Sequence, residues 1–199
     1  MPFLLRVALP DVPGSLGRVA TAIGEAGGDI EAIEIVEHRN DGVAVDDFLL
    51  ETTPGTMPDS LVSACSALDG VEVLWINRYA AGGNLFLDLE VVEELTTQPA
   101  AARDRLVDLL PITFRVDWAA RTTRDGRIVR STEAAPEAIE WVEVERAQRL
   151  DDDGVTVRCG VPLGDDVVVL GRRGGPEFLD SELARLGHLV GLAVTISGA

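Results

Sequence analysis

Asp11-Val12-Pro13-Gly14-Ser15-Leu16 joins an apolar run, Phe3 to Leu9, to an amphipathic one that begins at Leu16. A strand, a tight turn and a helix accommodate that order. Pro13 pre-sets its own φ, while Gly14 permits a sharp turn and leaves room for something to approach. The unpaired N–H groups of the first helical turn then point at whatever lies above the turn. Such a corner suits the carboxylate of a small molecule. It also serves as an ordinary strand-to-helix connection, and alone it does not choose between the two.

The residues around it extend the pattern. Leu16, Val19, Ala20 and Ile23 fall on one face of a helix, which Gly27-Gly28 ends. A β-rich stretch, Ile30 to Arg39, puts Ile33 and Ile35 on one side and Glu34 and Val36 on the other. Asn40-Asp41-Gly42 is a hairpin turn, and Val43 to Thr53 returns as a strand. Asp59 is the expected N-cap of a second helix with Leu61, Cys65 and Leu68 on its apolar side, before a fourth strand from Val71 to Tyr79. The order βαββαβ predicts a ferredoxin-like fold, strands ordered 4-1-3-2 and both helices on one face. Leu4 and Ala8 are then expected to face outward from a bare sheet face. With strands 2 and 4 as open edges, this predicts pairing with another copy or with the rest of the chain.

Ala80-Ala81-Gly82-Gly83-Asn84 is small and flexible in character and marks a boundary between domains 1–80 and 83–199. Beyond it, Leu85, Leu89 and Val92 suggest a helix, although Leu85-Phe86-Leu87 alone suits a strand. Gln98-Pro99 opens another helix with the stripe Ala102, Leu106, Leu109 and Leu110, before Pro111. Strands are expected over 112–122 and 127–131 around Arg124-Asp125-Gly126, and over 155–163 and 167–171 around Gly164-Asp165-Asp166. Residues 133–150 suit a strand or a helix. Asp180 is expected to cap a last helix that buries Leu183, Leu186, Val190 and Val194. The whole chain reads as α+β.

Charge excludes several functions. The 199 residues carry a formal net charge of -17, and all 17 basic residues are Arg. Neither half offers the basic face that phosphate backbones or anionic membranes require, so no nucleic acid and no membrane is expected as a partner. Cys65 and Cys159 lie far apart in apolar stretches and read as buried, reduced thiols, with no metal site and no cofactor implied. Neither a signal peptide nor a spanning segment is visible, and a cytoplasmic location is expected.

The first domain resembles the ACT family of small regulatory modules over residues 3–79. The marks are the apolar strand into Asp11-x-Pro13-Gly14-x-Leu16, Val19 and Ile23 on the helix, and Gly28-Asp29-Ile30 leading into strand 2. Asp29 stands where the family commonly has Asn; a carboxylate there repels an acidic ligand and accepts a hydrogen bond from an ammonium group. The resemblance implies a homodimer joined side by side, often through strand 2, with an amino acid or similar ligand at the interface. Asp11, Val12, Pro13, Gly14, Ser15 and Leu16 would come from one chain, and Asp29, Ile30 and Glu31 from its partner. The second domain resembles a short GAF domain, an antiparallel sheet with flanking helices, through Val161-Pro162-Leu163, the strand from Val167 to Leu170 and Phe178-Leu179-Asp180-Ser181-Glu182-Leu183. Its missing length falls between 131 and 155, where ligand-covering elements usually lie, which implies a reduced fold that need not bind anything.

Single residues weigh less. His38 and His188 read as surface or packed histidines rather than catalytic ones. The turn Gly171-Arg172-Arg173-Gly174-Gly175-Pro176 reads as a solvated basic loop, with anion binding as the sharper alternative. Asp46 and Asp47 point to opposite faces of their strand, which places one of them at an edge or interface. Asp151-Asp152-Asp153 reads as a solvated turn, and Trp75, Trp118 and Trp141 as core or domain-interface packing. The sequence thus points to a non-catalytic regulatory protein that binds an amino acid or similar ligand at an ACT dimer interface. The alternatives are an interaction module with a vestigial pocket and, behind it, an enzyme.

Overall fold

A computed structural model of the chain describes residues 2–78, 87–151 and 154–198. Expectations for Tyr79, the 80–84 boundary, Leu85-Phe86 and Asp152-Asp153 lie outside the described residues. The chain divides into two compact units, Met1–Gly83 and Asn84–Ala199.

The first unit runs β1 (Pro2–Pro10), α1 (Ser15–Glu25), β2 (Gly28–His38), β3 (Val43–Thr52), α2 (Pro58–Ser66) and β4 (Glu72–Arg78). Its antiparallel sheet has the order β2-β3-β1-β4. Phe3, Leu5, Val7 and Leu9 of β1, with Phe48 and Leu50 of β3, form the helix-side face and pack on Val19, Ile23, Leu61 and Cys65. Gly28 is required for that closeness: a Cβ there would stand 2.8 Å from Ile23 Cγ2 and 3.0 Å from Leu61 Cδ2. Helix α2 begins one residue earlier than expected, with Met57 at the N-cap position and Asp59 in the first turn, because Pro58 suits a first helical position.

The opposite face corrects the expectation of a bare surface. Leu4 and Ala8 do point away from the helices, yet they are buried, together with Val45 and Leu49. They occupy the two central strands, beside the long side chain of Arg6, which stands opposite Trp75 of β4 in register. Arg6 makes a bidentate pair with Asp47 across β1 and β3, at 2.7 and 2.9 Å. Asp46 and Asp47 indeed face opposite sides, as their partners Val7 and Arg6 do.

The second unit runs α3 (Leu87–Thr97), a 3-10 turn (Pro99–Ala101), α4 (Ala102–Phe114), β5 (Trp118–Thr122), β6 (Ile128–Ser131), β7 (Gln148–Leu150), β8 (Thr156–Leu163), β9 (Asp166–Arg173) and α5 (Asp180–Ile196). The five strands form one antiparallel sheet in the order β6-β5-β9-β8-β7. The three helices share a core with one sheet face through Val91, Leu106, Leu110, Val161, Leu170 and Leu186. Arg185 of α5 binds Asp88 of α3 at 2.7 Å and stacks over Phe114 of α4.

Several local expectations change here. Helix α3 buries Val91 and Leu95 and packs Val92 against the same core, as expected, but leaves the expected Leu89 in solvent. Helix α4 continues through Pro111 to Phe114, where the expectation ended it, and the following strand shortens to Trp118–Thr122. Burial of Thr113 and Phe114 holds that last turn, and Thr113 Oγ1 donates to the Leu109 carbonyl at 2.8 Å. Asp180 is the first residue of α5 rather than its cap; the Glu182 carboxylate instead accepts the Leu179 N–H at 2.8 Å. Residues 132–147 form neither helix nor strand. They lay Ile139 and Val144 over the second sheet face, against Trp118, Ala120, Val167 and Val169. Gly171 makes room for this layer, since a Cβ there would fall 2.2 Å from the Trp118 ring. Trp141 packs at its rim.

Candidate ligand site at the β1–α1 turn

The turn after β1 is built by local bonds. Asp11 N–H donates to the Gly42 carbonyl at 2.8 Å, which ties the turn to the β2–β3 hairpin. Val12 N–H donates to the Pro10 carbonyl at 2.9 Å and Ser15 N–H to the Val12 carbonyl at 3.2 Å. Gly14 has φ 93° and stands at the N-cap of α1, a left-handed conformation that residues with a side chain seldom adopt. The first-turn amides beyond it, those of Leu16 and Gly17, have no intrahelical acceptor and carry the positive end of the helix dipole. A shallow groove of about 410 Å³ starts at Gly14 and runs along α1 past Gly17 and Thr21 to Leu68. Open space surrounds the Cβ positions of both Gly14 and Gly17.

The structure places the expected site residues in two groups. Asp11, Val12, Pro13, Gly14, Ser15 and Leu16 come together at one end of the sheet, with Asp11 to Gly14 exposed, Ser15 buried and Leu16 packed on the core. Asp29, Ile30 and Glu31 lie at the other end: Asp29 is opposite Glu51 on β3, while the turn adjoins Val43 and Ala44. Seven strand residues, roughly 20 Å, separate the two groups within one chain. Asp29 and Glu31 are exposed, and Ile30 packs against the core.

Two residues not singled out for the site join the first group. His38 Nδ1 lies 2.9 Å from Asp11 Oδ2. A register shift between Ile35 and Glu37 puts His38 opposite Ala44, on the helix side, where simple alternation would turn it away. Asp46 stands on the same face and is 2% exposed. Burial pushes its carboxyl above the usual range; nearby His38 opposes that shift, and Asp11 and Asp47 reinforce it. The Asn40-Asp41-Gly42 hairpin was the available signal, since its register sets which residue of β2 meets the end of β1.

Other candidate groups are occupied structurally. Arg172 is not part of a solvated loop. It ends β9 in a buried position, donating to the carbonyls of Phe114 at 2.8 Å, Pro176 at 3.0 Å and Arg115 at 3.3 Å and to Glu182 Oε1 at 3.0 Å. It also stacks on the Phe178 ring. Both cysteines are buried and free, and burial raises both thiols. A cleft of about 570 Å³ between β7 and α5 has His188 on its wall, and its Arg149 is paired with Asp180 at 2.8 Å. Among the described residues, no group of His, Cys, Asp and Glu is placed to hold a metal ion, and no helix is long and apolar enough to cross a membrane.

Residues 3–64 match the family model of the ACT domain. Among solved structures, the chain is similar to the GAF domain of an Acinetobacter phosphoenolpyruvate-protein phosphotransferase, at 15% identity and TM-score 0.45, covering 57% of this chain and 91% of that one. It is similar to a formyltetrahydrofolate deformylase from Pseudomonas putida KT2440 at 11% identity and TM-score 0.31, covering 49% of this chain and only 39% of the deformylase. A protein of unknown function from Galdieria sulphuraria aligns over 98% of this chain and 90% of its own, at 13% identity and TM-score 0.35. No curated protein matches. The βαββαβ unit with its Asp11–Leu16 turn matches the ACT domain over residues 3–64, and the chain continues into a second unit of five antiparallel strands and three helices.

Proposed function

We propose that this is a non-catalytic regulatory protein of the cytoplasm whose ACT domain binds an amino acid or a similar small ligand at a homodimer interface. The observation that carries the reading is the glycine-capped turn, with the Leu16 and Gly17 amides directed out of a left-handed Gly14. Amides so arranged bind a carboxylate without a basic side chain. The separation of the two residue groups adds support. Antiparallel pairing of β2 with a partner's β2 would bring the Asp29–Glu31 end of one chain beside the Asp11–Leu16 turn of the other. Ile33 and Ile35, 39% and 51% exposed on the helix side of that edge strand, would be covered by the same pairing. In this reading the GAF-like domain takes no ligand on the sheet face that Trp118, Ile139 and Val144 fill.

Thermal-shift and calorimetric screening of the twenty amino acids, on protein sized by light scattering, tests the reading. A dimer stabilised by one or a few of them is expected. A dimer that none of them stabilises would instead leave dimerisation as the role of the domain. Ile35→Glu places a charge on the β2 edge and is expected to yield a folded monomer. A persistent dimer would move the interface elsewhere.

A further inference from the structure

The buried polar atoms of the ACT domain that lack a hydrogen-bond partner among the described residues include Ser15 Oγ at the start of α1 and Asp46 Oδ1 on β3. Ser15 is 3% exposed and Asp46 2%. Buried polar atoms are nearly always paired, because an orphan forfeits its bonds to water and gains nothing. Both lie at the same end of the helix-side face. Asp46 is two residues along β3 from Ala44, which stands opposite Leu9 on one side and His38 on the other, and α1 starts where the turn after β1 ends. An ionised carboxylate can only accept hydrogen bonds, and the Ser15 hydroxyl can also accept. The neighbouring charges do not satisfy Asp46. Asp11 and Asp47 are also acidic, and the His38 ring is bonded through Nδ1 to Asp11.

We propose that Asp46 and Ser15 form a buried receptor for the ammonium group of the small ligand, reached when the Asp11–His38 pair parts. This deepens the proposed function and rests on it. The first-turn amides take the ligand's carboxylate, and Asp46 of the same chain, rather than Asp29 of the partner, takes its amine. An ammonium offers three donors to two orphaned acceptors and supplies the positive charge that a buried carboxylate lacks. The Asp11 and His38 side chains are 45% and 60% exposed. Exposed pairs of this kind open at little cost.

The test uses the full chain, with the twenty amino acids, ethylamine and propionate as separate probes. Wild type, Asp46→Asn and Ser15→Ala are compared by thermal shift and calorimetry. The amino acid that binds wild type is expected to lose at least tenfold in affinity with Asp46→Asn and severalfold with Ser15→Ala. Ethylamine is expected to stabilise wild type and not Asp46→Asn. An amino acid that binds Asp46→Asn as tightly as wild type overturns the ammonium receptor and leaves the dimer-interface reading standing. Stabilisation by ethylamine but by no amino acid keeps the receptor and removes the amino-acid reading. No response of wild type to any amine or amino acid overturns both. Asn matches Asp in shape, and Ser15→Ala provides a second variant should Asp46→Asn fold poorly.

Discussion

Arg172 in the second unit and Asp46 in the ACT domain are both charged, nearly buried and set on a sheet, and they are treated in opposite ways. Arg172 is surrounded by three carbonyls, a carboxylate and the face of Phe178. Asp46 keeps a buried oxygen with no partner among the described residues. A charge that the fold satisfies holds elements together, here the ends of α4, β9 and α5. A charge left unsatisfied costs stability, and a protein retains it at low cost only where something else arrives to pair it. The same contrast appears in the sheets. The second unit covers its second sheet face with its own residues 132–147, whereas the ACT domain leaves Ile33 and Ile35 exposed along an edge strand.

The largest expected effect breaks the satisfied side of this comparison. Arg172→Ala removes the guanidinium that Glu182 and three carbonyls share and should destabilise the second unit by about 3–5 kcal/mol. Arg149→Ala removes an exposed pair with Asp180 and should cost no more than about 0.5 kcal/mol. Denaturant titration of both variants checks the difference, and equal losses would mean that burial does not distinguish the two arginines.

Next is packing in the ACT domain. Gly28→Ala sets a methyl group against Ile23 and Leu61 and should cost about 1–3 kcal/mol, read as a lower denaturation midpoint at unchanged slope.

The smallest effect sharpens the unsatisfied side. The folded carboxyl of Asp46 titrates above its unfolded value of 3.8. Its ionisation therefore costs the fold nothing well below that value, and the cost grows as pH rises from the unfolded value to the folded one and is constant above it. Asp46→Asn should melt slightly higher than wild type at pH 7, and the gain should vanish as the pH falls below about 4. His38, Asp11 and Asp47 surround the carboxyl. Melting curves from pH 3 to pH 8 check this; a variant less stable than wild type at pH 7 would show that Asp46 is already paired.

Much of the ACT domain was legible because its signals are local. Gly27 with φ 89° ends α1, and Gly42 with φ 80° turns the hairpin, as the sequence suggests. The site was half legible. Asp11 to Leu16 announce themselves through proline and glycine in a fixed order. His38 and Asp46 carry no such mark, and they reach the turn through strand register. The second unit was harder to read. Pro111 normally ends a helix, but buried Thr113 and Phe114 draw α4 onward. Residues 132–147 have no period because they follow the sheet beneath them rather than their own hydrogen bonds.

By itself the sequence determined the order of strands and helices in the ACT domain, the turn that opens α1, and the strongly acidic net charge. Those properties follow from side-chain period, backbone freedom and charge, which a short stretch of chain already possesses. The tertiary structure decided the register. Shifts at Ile30/Ala32 and Ile35/Glu37 keep Ile30, Ile33 and Ile35 on one face and then turn His38 to join them. A bulge forms where packing on the neighbouring strand favours it, so whether His38 meets Asp11 depends on β3 and α1 together. The same holds for Asp46, whose buried Oδ1 is left without a hydrogen bond by everything packed around it.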